Sequence, residues 1–161
     1  MKSESINAIK KQLLTLEPQE LTLICLRLAK YKKETKELLS YLVFECKDES
    51  QYVANVQAFC LEMFQDFNVR NSYVLMKGLR KTAKQVVKYM KFTENEVSKV
   101  EILIFFIELA QPIVKKNDLL NFQNFYISQY KKLDVLYNKL QEDYQYDFKS
   151  QMEKLRPTYY Y

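Results

Sequence analysis

Apolar residues recur at helical spacing along nearly the whole chain. Ile6, Ile9, Leu13 and Leu16 stand at i, i+3, i+7 and i+10, the stripe of an amphipathic helix over about residues 3–16. Pro18 fits the first turn of a second helix, with Glu20 near its positive end. That helix runs to about Lys33 and turns Leu21, Ile24, Cys25 and Leu28 inward. A third segment, about 35–46, carries Leu38, Leu39, Leu42 and Val43, and Asp48-Glu49-Ser50 caps a fourth helix that reaches about Phe67. After a break at 68–72, a fifth helix runs from about Asn71 to Phe92. Thr93 followed by Glu96 reads as a capping box for a sixth helix, which Pro112 bends or ends. Asn117-Asp118 opens a seventh helix to at least Leu140. The pattern leaves open whether 118–155 is one helix or two, and Pro157 stops it. No segment alternates long enough to be a strand. The expected fold is therefore a single all-α domain of seven to eight helices over 1–156, with a tail at 157–161.

A repeat is superimposed on this pattern. Lys33, Lys36, Tyr41 and Phe44 recur 48 residues later as Lys81, Lys84, Tyr89 and Phe92, and Lys132, Val135 and Tyr137 continue the columns more weakly. A period of that size suits a short HEAT-like stack of helix pairs. The rival is a plain helical bundle in which Lys- and Tyr-rich amphipathic helices match by chance.

Composition removes whole classes of chemistry. The 161 residues include one Gly and neither His nor Trp. A Gly-rich phosphate loop, a histidine acid–base and a His-containing metal site are all ruled out, and the expectation is no catalytic residue, no cofactor and no metal. The paired carboxylates Glu45/Asp48/Glu49 and Glu142/Asp143/Asp147 sit near predicted helix ends, where such residues are ordinarily caps and dipole partners. Cys25, Cys46 and Cys60 form no C-x-x-C and read as reduced, buried small hydrophobes of a cytoplasmic protein. The N-terminal segment has no apolar core of a signal peptide. The run Ile102–Ile107 falls far short of the about 20 residues needed to span a bilayer, and instead marks the innermost part of a buried helix. Gly78, in mid-helix, points to a close approach by a neighbour or a slight bend.

Charge supplies the sharpest feature. The net charge is +5, yet residues 67–93 hold seven cations and no anion, between segments that are net acidic. On a helical wheel Arg70, Lys77, Lys81, Lys84, Lys88 and Lys91 fall in a strip roughly 80° wide, with Tyr73 inside it and Arg80 at its edge. Leu75, Met76, Leu79, Ala83, Val86 and Met90 occupy the other side. Like charges at i, i+3 and i, i+4 oppose such a helix by about 1 kcal/mol in total, which a packed domain absorbs. Solvated surface and pairing with an acidic neighbouring helix are the bland accounts of the ridge. The functional account is an external anion.

Membrane insertion is disfavoured, because the face opposite the ridge carries residues sized for packing. Only four of the 25 basic residues are arginine and stacking rings are scarce, so base readout is not expected. The favoured function is a non-catalytic helical scaffold that docks an acidic protein through Arg70, Tyr73, Lys77, Arg80, Lys81, Lys84, Lys88 and Lys91. Sequence-independent binding to a nucleic-acid backbone along the same ridge is the alternative. A tyrosine-rich seam (Phe122, Tyr126, Tyr130, Leu133, Tyr137, Leu140, Tyr144) packs internally or joins two copies into a homodimer. The opening stretch, Leu16-Glu17-Pro18-Gln19-Glu20-Leu21 with Leu28-Ala29-Lys30-Tyr31-Lys32-Lys33-Glu34 and Lys36-Glu37-Leu38-Leu39, resembles uncharacterised bacterial all-helical proteins of unknown function. That resemblance implies a helical fold and no activity.

Overall fold

A computed structural model describes residues 3–68, 70–117 and 119–158. Its elements are α1 (Ile6–Leu13), α2 (Pro18–Tyr31), α3 (Lys33–Ser40), a π-helical turn (Tyr41–Glu45), α4 (Glu49–Gln65), α5 (Ser72–Met90), α6 (Glu96–Asn117), α7 (Leu120–Tyr137) and α8 (Glu142–Leu155). Among the described residues there is no strand, so the chain is all-α. The region after residue 118 forms two helices, α7 and α8. Asp118 and Tyr159–Tyr161 lie outside the described residues.

These elements fall into two compact units, 3–45 and 46–158 among the described residues. In the first, Ser5 Oγ caps α1 by accepting from Ala8 N at 3.2 Å. Glu17 N donates to Glu20 Oε2 at 3.0 Å ahead of Pro18, the arrangement that proline and the acid predict. The expected inward face did not form. No residue of α1, α2 or α3 is buried, and Ile24, Cys25 and Leu28 are exposed. Within this unit α2 packs on α3, and a layer of that thickness covers only one side of each helix. Cys25 is therefore not a core residue; of the three cysteines only Cys60 is buried.

The second unit is built around α6, which touches α4, α5, α7 and α8. Its apolar run is the centre of the core: Ile102, Leu103, Ile104, Phe106 and Ile107 are all buried, flanked by half-buried Glu101 and exposed Glu108. The Phe106 ring meets those of Phe64 and Phe125 edge-on, with centroids 5.8 and 6.4 Å away. Pro112 does not end α6, which continues to Asn117. Proline removes the hydrogen bond to the carbonyl four residues back. Both Pro112 and Glu108 lie on the exposed side, where that carbonyl can be hydrated.

The start of α6 differs from the Thr93 capping box. Thr93 is buried, and its hydroxyl donates to Glu49 Oε2 of α4 at 2.9 Å. Asn95 caps instead, its Oδ1 accepting from Val97 N at 2.9 Å and Ser98 N at 3.3 Å. Glu96 is drawn to Lys99 Nζ at 2.6 Å rather than back to the cap. Asn117 likewise closes α6 rather than opening α7, donating from Nδ2 to Ile113 O at 2.8 Å. Gly78 has the close neighbour its position implied. A Cβ there would stand 3.0 Å from the Phe67 ring.

Candidate functional site

α5 is one unbroken helix of 19 residues. Asn71 Oδ1 caps it, accepting from Tyr73 N at 3.0 Å and Val74 N at 3.1 Å. Leu75, Met76, Leu79, Thr82, Ala83, Val86 and Met90 are buried, as the wheel requires. Burying each large apolar side chain favours this orientation by about 1.5–3 kcal/mol, far more than the ridge's self-repulsion costs. The helix is thereby locked with its cations outward.

The ridge is shorter than the sequence suggested. Lys77, Arg80, Lys81 and Lys84 are exposed on consecutive turns. Arg70 is exposed but precedes the helix, and Lys91 is exposed at its C-terminal cap. Tyr73 is 78% exposed on the first turn. Lys88, central on the wheel, is half-buried, with Nζ 5.7 Å from the Tyr89 ring centroid. The cause is α4, which packs on this end of α5. Tyr52 Oη donates to Tyr89 O at 2.8 Å and the Phe59 ring meets Tyr89 edge-on at 5.3 Å. Among the described residues, Arg70, Lys77, Arg80, Lys81, Lys84 and Lys91 form no ion pair with a carboxylate.

Two of these cations face a concavity. α5 and α7 both border a groove of about 420 Å³ lined by Arg80, Ala83, Lys84 and Val87 from one helix and Phe125, Ser128, Gln129 and Lys132 from the other. Among the described residues no carboxylate lines it. Ala83 and Phe125 are buried and give it an apolar floor. Gln129 is only 5% exposed and organises the far wall. Its Nε2 donates to Ser128 Oγ at 2.9 Å, and its Oε1 accepts from Lys132 Nζ at 3.3 Å. Ser128 Oγ in turn donates to Phe125 O at 2.7 Å. Lys132 is thus held toward Arg80 and Lys84 across the groove. The groove lies on the flank of the ridge, at Arg80 and Lys84, and not on its crest, Lys77 and Lys81. Lys132 was not among the predicted site residues, although it shares a column with Lys84 in the 48-residue repeat.

The remaining candidates are placed elsewhere. A second open groove, about 360 Å³ between α4, α6 and α8, holds Glu101 and Glu108 beside Val53, Ile104, Phe105 and Phe148. Burial raises the Glu101 carboxyl above its usual range, while Glu108 is exposed. Asp48 caps α4, its Oδ1 accepting from Gln51 N at 2.9 Å, and Glu142 and Asp143 are exposed in the first turn of α8. Among the described residues no three His, Cys, Asp or Glu side chains converge as metal ligands, and no helix is long and apolar enough to cross a membrane.

The tyrosine seam is used internally. Phe122, Tyr126, Tyr130, Leu133 and Leu140 are buried, and three tyrosines reach carbonyls of α8. Tyr126 Oη donates to Leu155 O at 2.8 Å, Tyr130 Oη to Met152 O at 3.3 Å and Tyr137 Oη to Gln145 O at 2.9 Å. α8 covers the buried part of this seam, while Tyr144, its last member, is 45% exposed. No family model matches this chain, and comparison with curated proteins and with solved structures finds no match either.

Proposed function

We propose that the chain is a non-catalytic helical interaction module that docks an acidic protein segment in the groove between α5 and α7. The observation that carries this reading is the trio Arg80, Lys84 and Lys132 around an apolar floor, with no carboxylate among the described lining residues. Such a surface suits a partner that presents carboxylates beside apolar side chains. The cations give long-range attraction and register, and the floor gives contact area. Lys77 and Lys81 extend the positive field above the groove. The thiols of Cys25 and Cys60 suit a reducing compartment, and we place the protein in the cytoplasm.

A nucleic-acid backbone is the less favoured ligand. It would leave the floor of Ala83, Val87 and Phe125 without an apolar counterpart. The buried Phe125 ring offers no stacking face, and exposed Tyr73 does not line the groove.

The test uses fluorescence anisotropy with two labelled probes, a synthetic peptide alternating Glu and Leu and a mixed-sequence DNA duplex. The peptide should bind at about 0.05 M salt and weaken toward 0.5 M as the cations are screened. The Lys84→Gln/Lys132→Gln double variant should bind it about ten-fold more weakly at low salt. Both substituted side chains are exposed, so the variant keeps its fold. Failure of the peptide to bind wild type at low salt, or equal binding by the variant, overturns the reading. Tighter binding of the duplex, lost in the same variant, replaces it with the nucleic-acid alternative.

A further inference from the structure

A different pocket, on the other side of α7, carries an inference of its own. It has a volume of about 200 Å³ and lies where α6 and α7 meet the end of α8. Lys115, Lys154 and Arg156 line it together with Gln111, Tyr126 and the apolar wall of Val114, Ile127 and Pro157; among the described residues no carboxylate does.

Cations at such a place have an ordinary explanation. The last carbonyls of a helix lack partners and form a negative pole, and lysine or arginine in the last turn compensates it. Here that work is done by neutral donors. Tyr126 Oη takes Leu155 O at 2.8 Å, and Gln111 Nε2 takes Lys154 O at 3.1 Å while also donating to Tyr126 Oη at 3.0 Å. Among the described residues Lys115, Lys154 and Arg156 form no ion pair with a carboxylate. Lys154 and Arg156 therefore border a concavity where the backbone pole of α8 is already satisfied, and Lys115 adds a third cation from the last turn of α6. The same hydrogen bonds fix the end of α8 against α6 and α7, so the backbone carrying Lys154 and Arg156 is held before anything binds.

We infer that this pocket binds a small organic anion, with a phosphate or carboxylate head among Lys115, Lys154 and Arg156 and a short apolar body against Val114, Ile127 and Pro157. At about 30 Å³ per molecule the space equals roughly seven waters, room for a small anionic head and a short apolar body. The Tyr126 phenol, pushed up to about 12 chiefly by burial, stays protonated and keeps the end of α8 in place while an anion is bound.

Isothermal titration of the full chain with butyl phosphate, butyrate and inorganic phosphate, at one ionic strength set with chloride, tests this. One of the two organic anions should saturate a single site, and which one does so identifies the head. Butyl phosphate should bind several-fold more tightly than inorganic phosphate if the phosphate head is preferred. The Lys154→Gln/Arg156→Gln variant, altered only at exposed side chains, should weaken binding about ten-fold, and Lys115→Gln on the separate helix α6 should weaken it in the same direction. Lys84→Gln/Lys132→Gln should leave it unchanged, which separates this pocket from the docking groove. Absence of saturable binding by either organic anion, or binding that survives both pocket variants, overturns the inference. Inorganic phosphate binding as tightly as butyl phosphate, with butyrate silent, overturns the apolar subsite.

Discussion

Replacing Tyr126 with Phe removes one oxygen from the most connected polar point of the second unit. The hydroxyl donates to Leu155 O at 2.8 Å and accepts from Gln111 Nε2 at 3.0 Å. Phenylalanine keeps the ring, so the packing of a residue 6% exposed is preserved. What is lost is the donor to a carbonyl belonging to a residue 2% exposed, where solvent is a poor substitute. An unsatisfied buried acceptor costs about 1–3 kcal/mol. Guanidinium denaturation near pH 7, followed by circular dichroism, should show the variant destabilised by that amount, a fall of roughly 4–15 °C in Tm.

The pH dependence supplies an independent check. Burial, opposed by the Gln111 hydrogen bond and aided by Tyr130, pushes the phenol from 10.0 up to about 12. A group whose folded value is raised stabilises the fold fully below its unfolded value, and that stability is lost as pH rises through the folded value. At about 1.4 kcal/mol per pH unit the loss between pH 10 and 12 is of the same order as the cost of the substitution. The gap between wild type and Tyr126→Phe should therefore be full from pH 7 to 9 and close toward pH 12; the other tyrosines and lysines titrate in both proteins and cancel. Equal stability at pH 7, or a gap as wide at pH 11.5 as at pH 7, would refute the assigned role of Tyr126.

Two further outcomes follow from local geometry. Native thiol labelling near pH 8 should modify exposed Cys25 rapidly and leave Cys60 unmodified until denaturant is added, because Cys60 is buried and its thiol is pushed up to about 12; three thiols reacting at one rate in the folded protein would contradict the packing of α4. Asn95→Ala should cost about 1 kcal/mol in thermal denaturation by freeing Val97 N and Ser98 N, whereas Glu96→Gln should leave the cap intact; a neutral Asn95→Ala would place the start of α6 elsewhere.

What local chemistry controls was legible in the chain. Helical periodicity located the α5 core face and the buried centre of α6, since both depend on which residues repel water along one rod. Asp48 and the Pro18–Glu20 pair marked their helix starts because such caps act within four residues. Thr93 and Lys88 show where that legibility ends. Each has a good local role, as cap and as ridge crest; the Thr93 hydroxyl is drawn instead to Glu49 of α4, and α4 packs on Tyr89 beside Lys88, contacts about 40 residues away in sequence. The N-terminal helices show the same limit from the other side: an apolar stripe states a demand for cover, and only packing decides whether cover arrives.

The candidate sites divide in the same way. The sequence by itself determined an all-α chain without histidine chemistry and with a cationic flank on α5, because composition and a 3.6-residue period are properties of one segment at a time. Only the tertiary structure brought Lys132 opposite Arg80 and Lys84, turned the tyrosine seam inward onto α8, and left Lys115, Lys154 and Arg156 around a pocket beside the capped end of α8. Those outcomes depend on how helices lean on α6, and distances between side chains far apart in sequence are settled by that packing alone.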